Sequence, residues 1–329
     1  MKFFLTGATG FLGGVVARKL REQGHDVVAV VRDISKADAL AKLGVVLCKG
    51  DVTDIESMRA PMTGVDGVFH IAGWYKIGTS DKANSHKVNV EGTRNVLSLM
   101  QELKIPKGVY TSTLAVNSNT NGVAVDENYR FTGKHLSVYD ETKAKAHEVA
   151  KDFIANGLPL VIVQPGLIYG PGDLGPGRDS LVQLLQRKMP LLPRQTALAY
   201  GHVDDIADAH IAAMQRGRVG ESYFVCGTIH TFIETAHFVE KLSGVPAPKM
   251  IASPSMLKAM SSFMGIVEKV FPVPPMYTSE FLRVNAGSTY IGKNDKARRE
   301  LGFNPRLFEE GMRETVLYEM KLLGLSPKT

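Results

Sequence analysis

The sequence predicts an α/β fold, a doubly wound parallel sheet with a smaller C-terminal part. Three observations carry this. The chain opens on an apolar strand, a glycine-rich turn and a helix. Short apolar runs then alternate with helical patterns along the first two thirds. The 329 residues leave room for a main α/β domain with a smaller one beside it.

Composition narrows the class. Apolar residues make up 44% and charged residues 22%, as in ordinary globular proteins. Two cysteines, Cys48 and Cys226, exclude a disulfide framework, and no metal site is expected. The start lacks a signal-peptide pattern, and no apolar run reaches the roughly 18 residues of a spanning helix. A reducing cytoplasm is expected, with no membrane as partner. The net charge of +6 suits an anionic ligand. The cations are scattered, with no basic run or aromatic-interleaved strand, so nucleic acid is not expected as a partner.

Residues 2–6 read as a buried strand. Gly7, Ala8, Thr9, Gly10, Phe11, Leu12 and Gly13 follow, with a helix read over 14–23. Glycines at this spacing let the backbone turn tightly, approach a pyrophosphate and pack a helix on the sheet. The helix N-terminus then offers free N–H groups and a positive dipole end. A second strand over 26–31 ends at Arg32 and Asp33, with Lys36 close behind. Arg32 and Lys36 could pair with a 2′-phosphate, which favours NADP(H). Arg32 stacking only on adenine would leave NAD(H) possible.

A third strand is read over 45–48. Asp51, with Val52, follows; its carboxylate could accept from an adenine amino group or cap a helix beginning near Asp54. A fourth strand over 67–71 runs into Ile71, Ala72 and Gly73, whose small side chains let backbone approach a ribose or nicotinamide. Trp74 and Tyr75 lie just beyond, where open α/β sheets bind ligands. Asn89 and Asn95 stand in a helix read over 89–103 and are expected to tie strand to helix. A fifth strand over 108–112 leads to Thr113.

Tyr139 and Lys143 sit four residues apart, one turn apart on one helix face. An ammonium beside a phenol is expected to lower its pKa, suiting proton exchange with a carbonyl or alcohol oxygen. Thr113, past the end of a strand, can present its hydroxyl to the same oxygen.

In the second half, strands are read over 160–164 and 221–226, with Pro165 and Gly166 closing the first. The glycine- and proline-rich stretch 169–177 reads as a loop, 180–188 as a helix, and 200–213 as a return to the main sheet. His202 is expected to pack rather than react. Met256, Met260 and Met264 fall at helical spacing, as a core stripe would. Residues 271–277 break regular structure and could close over a substrate. Helix, turn and helix are read over 294–323.

These stretches together resemble the extended branch of the short-chain dehydrogenase/reductase superfamily. The resemblance rests on Thr6–Gly13, Asp51–Val52, His70–Gly73, Asn89–Thr93, Thr111–Thr113, Tyr139–Lys143 and Tyr169–Asp173, in family order. Residues 202–210 and 296–303 extend it over essentially the whole chain. Residues 30–33 and 109–113 look most like dihydroflavonol-4-reductase-type enzymes, which share signatures with NAD-dependent epimerase/dehydratase family proteins.

The resemblance implies a Rossmann domain over 1–164 plus about 200–228. It implies a substrate-binding domain over about 165–199 plus 229–329. It implies catalysis by Thr113, Tyr139 and Lys143, with Ser112 the weaker choice of hydroxyl. It adds Thr111, Pro165, Gly166 and Ile168 to the cofactor-binding residues, along with Tyr139 and Lys143. Trp74, Tyr75, Thr113, Tyr169 and Tyr277 are the substrate-facing candidates. Many relatives are dimers through two helices of the main domain, so a homodimer is a possible assembly.

The reading that results is an NADP(H)-dependent reductase of a small carbonyl compound. A nucleotide-sugar epimerase or dehydratase holding NAD would use the same triad. Gln164-Pro165-Gly166, where many nucleotide-sugar members carry Arg-Pro, weighs against it. A cofactor-sensing protein without catalysis is the remaining alternative.

Overall fold

The computed structural model describes residues 1–75, 78 and 81–326. Its centre is a seven-stranded sheet, all parallel: β1 (Lys2–Thr6), β2 (Asp26–Val31), β3 (Val46–Lys49), β4 (Gly67–His70), β5 (Gly108–Thr111), β6 (Leu160–Pro165) and β10 (Ser222–Val225). The spatial order is β10-β6-β5-β4-β1-β2-β3. The winding reverses between β1 and β4, the point beyond whose strand ends such sheets bind ligands in a crevice.

The strands are apolar on both faces because both faces are covered. Side chains alternate across the sheet. Phe3 and Leu5 face one layer with Leu12, Val16 and Leu20 of α1 (Phe11–Glu22) and Ile206 of α8 (Val203–Arg216). Phe4 faces the other, with Met58 of α3 (Ile55–Met62), Leu97 of α5 (Gly92–Glu102) and Ala146 of α6 (Val138–Ala155). Burying one such side chain stabilises the fold by about 1.5–3 kcal/mol. A short helix α2 (Asp38–Lys42) bridges β2 and β3.

After β6 the chain leaves this sheet. The strands β7 (Leu167–Tyr169), β9 (Ala197–His202), β11 (Ile229–Thr231) and β13 (Thr289–Tyr290) form a second, four-stranded sheet. A two-strand ladder joins β8 (Leu192–Pro193) to β12 (Ile251–Ala252). Helices α7 (Pro176–Leu185), α9 (Phe232–Ser243) and α13 (Phe308–Leu322) bury a core that includes Leu184, Ala236, Phe308 and Met312. Two more helices, α10 (Pro254–Val267) and α11 (Ser279–Val284), pack against each other, while α12 (Asp295–Leu301) lies beside α8 and β10.

Several boundaries depart from the sequence reading. Helix α1 begins at Phe11 rather than residue 14, so Phe11, Leu12 and Gly13 form its first turn. The helix read over 89–103 begins earlier, with α4 (Lys82–His86) and a π-turn over Lys87–Glu91 before α5. Helix α7 starts at Pro176, within the stretch read as loop; proline is favoured at a first helical position, where its missing N–H costs nothing. Strand β9 belongs to the second sheet, and only α8 after it returns to the main one.

Candidate active site

The crevice is built from glycine outward. Gly7 adopts φ 76°, and a Cβ there would lie 2.7 Å from the backbone N of Ala72. The turn after β1 therefore lies directly against the loop after β4. Gly10 donates to the Gly7 carbonyl at 2.9 Å and stands at the head of α1 with no side-chain cap. A Cβ on Gly13 would strike the Gly7 carbonyl oxygen. The first turn of α1 carries no acidic side chain, so the amides of Phe11, Leu12 and Gly13 present an uncapped positive end beside exposed Thr9. This cradle fits the diphosphate of a dinucleotide.

At the end of β2, Arg32 is exposed and forms no ion pair with a described residue. Lys36 lies 3.5 Å from Asp33. Asp33 accepts from the Ser35 amide at 3.1 Å and from its hydroxyl at 2.6 Å, bonds that lower its pKa and occupy one oxygen locally. Asp51 accepts from the Thr53 amide at 2.8 Å. It thus closes a turn; Asp54 holds the cap position of α3 without a capping bond. Val52 wedges against Gly92, and its carbonyl accepts from Asn95 at 2.9 Å.

Behind the loop after β4 runs a buried polar chain. The Thr6 hydroxyl oxygen accepts from the amides of Ile71 and Ala72 at 3.2 and 3.1 Å and lies 2.8 Å from His70 Nδ1. With both lone pairs used, its one proton points at Nδ1. His70 therefore carries its own proton on Nε2, 3.0 Å from the Thr93 hydroxyl. Burial first, then the Lys143 charge, lowers the His70 pKa to about 3, so the ring is neutral. Thr93 in turn bears on the Tyr110 hydroxyl, offsetting in part the rise that burial gives its pKa.

Tyr110 reaches the centre of the site. Lys143 Nζ donates to the Tyr110 hydroxyl at 3.3 Å and to the Thr111 carbonyl at 2.8 Å. A Cβ on Gly73 would come 3.8 Å from the same nitrogen, so Lys143 abuts the loop after β4. Burial lowers its pKa to about 7. One turn earlier, the Tyr139 hydroxyl faces that of Thr113, which acts to lower the phenol pKa. Here the structure departs from the sequence expectation of a lowered phenol pKa. Burial dominates and raises Tyr139 to about 12, with only partial relief from Thr113.

The hydroxyls of residues 111–113 separate cleanly. Thr111 Oγ1 turns to His210 Nε2 at 2.9 Å, and Ser112 Oγ to His147 Nδ1 at 2.9 Å. Thr113 alone of the three bears on the Tyr139 phenol; its oxygen accepts from the Ala115 amide at 3.2 Å. Only the carbonyl of Thr111 contributes to the Lys143 environment.

The start of α6 is held firmly. Ser137 caps it, accepting from the Asp140 amide at 3.0 Å, and Glu280 of α11 accepts from the Val138 amide at 2.7 Å. Asp140 receives the hydroxyls of Ser137 and Tyr290 at 2.7 and 2.8 Å. Asn89, on the π-turn, brackets Trp74: its oxygen accepts from the Trp74 amide at 2.7 Å, and its nitrogen donates to the Trp74 carbonyl and the Thr142 hydroxyl, both at 3.0 Å.

The substrate candidates scatter. Trp74 and exposed Tyr75 follow the crevice loop. Tyr277 is exposed on a turn over Pro275–Tyr277 that packs against Gly78. Tyr169 lies in the second core, edge-on to Tyr200 and His202, and faces away from solvent. His202 is buried and caps α8, accepting from the Asp204 amide at 3.3 Å. Pro165 pairs with Val225 at the end of β6. A Cβ on Gly166 would strike the Ala199 carbonyl, and Ile168 packs on the α1-side core. Sequence reasoning missed Tyr110, Glu280 and the Asp140–Tyr290 bond. Tyr110 reads as one more apolar strand residue, and the other two join stretches some 140 residues apart.

Comparison with known proteins agrees with this geometry. The profile of the NAD dependent epimerase/dehydratase family matches residues 3–226. A protein of Synechocystis sp. provisionally named a dihydroflavonol 4-reductase is 31% identical over 325 residues, covering 95% of this chain and 93% of that one. The 2-alkyl-3-oxoalkanoate reductase of Stenotrophomonas maltophilia is 29% identical, covering 95% and 98%. A crystal structure of gox2253 superposes with a TM-score of 0.83 at 30% identity, covering 98% of each chain. The chain thus belongs to the NAD dependent epimerase/dehydratase family, among the extended short-chain dehydrogenases/reductases, and is an NAD(P)-dependent enzyme of oxidoreductase type.

Proposed function

We propose that the protein reduces a ketone or aldehyde to an alcohol with NADPH, with Thr113, Tyr139 and Lys143 as its catalytic residues. The observation that carries this reading is the Thr113–Tyr139 hydroxyl pair, one helical turn from a buried Lys143. Relatives named as reductases support the same direction.

The Gly7–Gly13 cradle would hold the diphosphate, Arg32 the adenosine 2′-phosphate, and the loop of Ile71, Ala72 and Gly73 the nicotinamide ribose beside Lys143. When bound, the reduced nicotinamide supplies the hydride. Tyr139, kept protonated by burial, gives its proton to the carbonyl oxygen, and Thr113 orients that oxygen by a second hydrogen bond. Lys143, in its charged form, stabilises the phenolate left on Tyr139. Asn89 fixes the backbone at Trp74, just past the loop of Ile71, Ala72 and Gly73. The preference for NADPH rests on Arg32 forming no ion pair with a described residue while Asp33 is engaged with Ser35. The partner is a small carbonyl or alcohol compound.

The test is a panel of ketones and aldehydes with added NADPH or NADH, followed at the nicotinamide absorbance. Turnover dependent on added NADPH supports the reading. NAD that survives dialysis, with activity on nucleotide sugars alone, would replace it with the epimerase or dehydratase alternative.

A further inference from the structure

Helix α10 packs one face inward and leaves the other uncovered. Leu257, Met260 and Met264 turn toward Leu282 and Ala286. On the opposite side Phe263 is 64% exposed, Ile266 66%, Val270 71% and Phe271 64%. Exposed Met256 extends the stripe two turns earlier, and Met250 and Ile251 stand before the helix. Seven of the 21 large apolar side chains exposed among the described residues thus fall within residues 250–271. Spacings of seven, three and four residues between Met256, Phe263, Ile266 and Val270 keep to one side of α10 and of the turn that follows it. Scattered single apolar side chains are normal on a surface, whereas a contiguous band of this size marks an interaction site.

The charges beside the band are mostly cationic. Lys249, Lys258 and Lys269 are exposed, and none forms an ion pair with a described residue. Helix α10 itself contains no carboxylate. The only acidic residue over 249–271 is Glu268, whose two oxygens accept from the Ser279 amide at 3.0 Å and hydroxyl at 2.6 Å.

We propose that the outer face of α10, with Val270 and Phe271 after it, is a docking surface for an anionic lipid bilayer. An apolar stripe bordered by lysines is the pattern of a helix lying in the plane of a membrane interface. The rings and branched chains enter the acyl boundary, while the lysine stems cover apolar surface and their ammonium groups reach the headgroup phosphates. Each lysine near an anionic surface contributes about fivefold to partitioning. A second copy of the chain is the poorer occupant. A two-fold contact would bring the same lysines to the same face, with no free carboxylate on α10 to meet them. The proposal differs from the sequence expectation because helical spacing alone showed the methionines, of which Met260 and Met264 point inward. It concerns attachment at the surface, since no helix here is long and apolar enough to cross a membrane. It does not depend on which reaction the enzyme catalyses.

The test is co-sedimentation of the full chain with phosphatidylcholine vesicles, with and without phosphatidylglycerol, at low and high salt. Binding is expected only with the anionic lipid and to weaken with salt. Phe263→Asp with Ile266→Asp is expected to reduce binding at least about tenfold, with thermal melting unchanged. Lys258→Glu with Lys269→Glu, which leaves the apolar face intact, is expected to do the same. Absence of binding to anionic vesicles overturns the proposal, as does binding that both variants retain. So does a wild-type dimer in sedimentation equilibrium that the Phe263/Ile266 variant converts to monomer, which would make this face an interface between copies.

Discussion

Lys143 is joined to Tyr110 twice: its ammonium lies 3.3 Å from the phenol oxygen and 4.9 Å from the centre of the ring. With the Thr111 carbonyl as another acceptor, two of its three N–H directions are fixed by β5. That leaves the third for the crevice. Replacing Tyr110 with Phe keeps the ring and removes the acceptor. We expect kcat to fall about tenfold, the scale of one bond to a charged group, and the pH at which Lys143 loses its proton to fall as well. Steady-state kinetics across pH 5–9 checks both; a uniform loss at every pH would point to simple misfolding.

Lys143 should cost stability as well as serve catalysis. Its folded pKa of about 7 lies below the ordinary 10.5, so the folded chain binds fewer protons than the unfolded one between those values. The penalty is complete below pH 7 and disappears as pH rises through 10.5. Lys143→Met is therefore expected to abolish measurable reduction while raising the melting temperature, most at pH 6 and least near pH 10. Thermal melts at the two pH values test the sign.

The two neighbouring hydroxyls should separate. Thr113→Val removes the hydroxyl that faces Tyr139, and we expect a loss of about 10²-fold or more in kcat/KM. Thr113→Ser should restore most of it. Ser112→Ala should stay within about threefold, because that hydroxyl serves His147.

Arg32 should govern cofactor choice. Arg32→Ala is expected to weaken NADPH binding about tenfold to a hundredfold, the range for charge-assisted bonds to phosphate. NADH binding should change little. Titration by Trp74 fluorescence measures both in one protein.

Much of this was legible in the sequence because it is local. The glycines at 7, 10 and 13 and the pair Tyr139 and Lys143 have fixed spacing on a turn and a helix, so their neighbourhood follows from backbone geometry. The alternation of strands and helices likewise gave the parallel sheet. Pairings across the fold were not legible. Nothing near Asn89 names Trp74 as its partner, and nothing near Val138 names Glu280. The direction of the Tyr139 pKa was misjudged for a related reason. Spacing puts Lys143 one turn away, but burial, the largest influence on the phenol, depends on everything packed around it. Tyr169 fell in a glycine- and proline-rich stretch that resembles a site edge, and tertiary packing drew its ring into the second core.

The central claim is that Tyr139 supplies the proton during carbonyl reduction. The most direct measurement is single-turnover oxidation of bound NADPH by Tyr139→Phe, beside its NADPH affinity. The account predicts a fall in the hydride-transfer rate of about 10²–10⁴-fold, with affinity within about threefold of the parent. Hydride transfer at an undiminished rate would contradict it and would move the proton donor to another group.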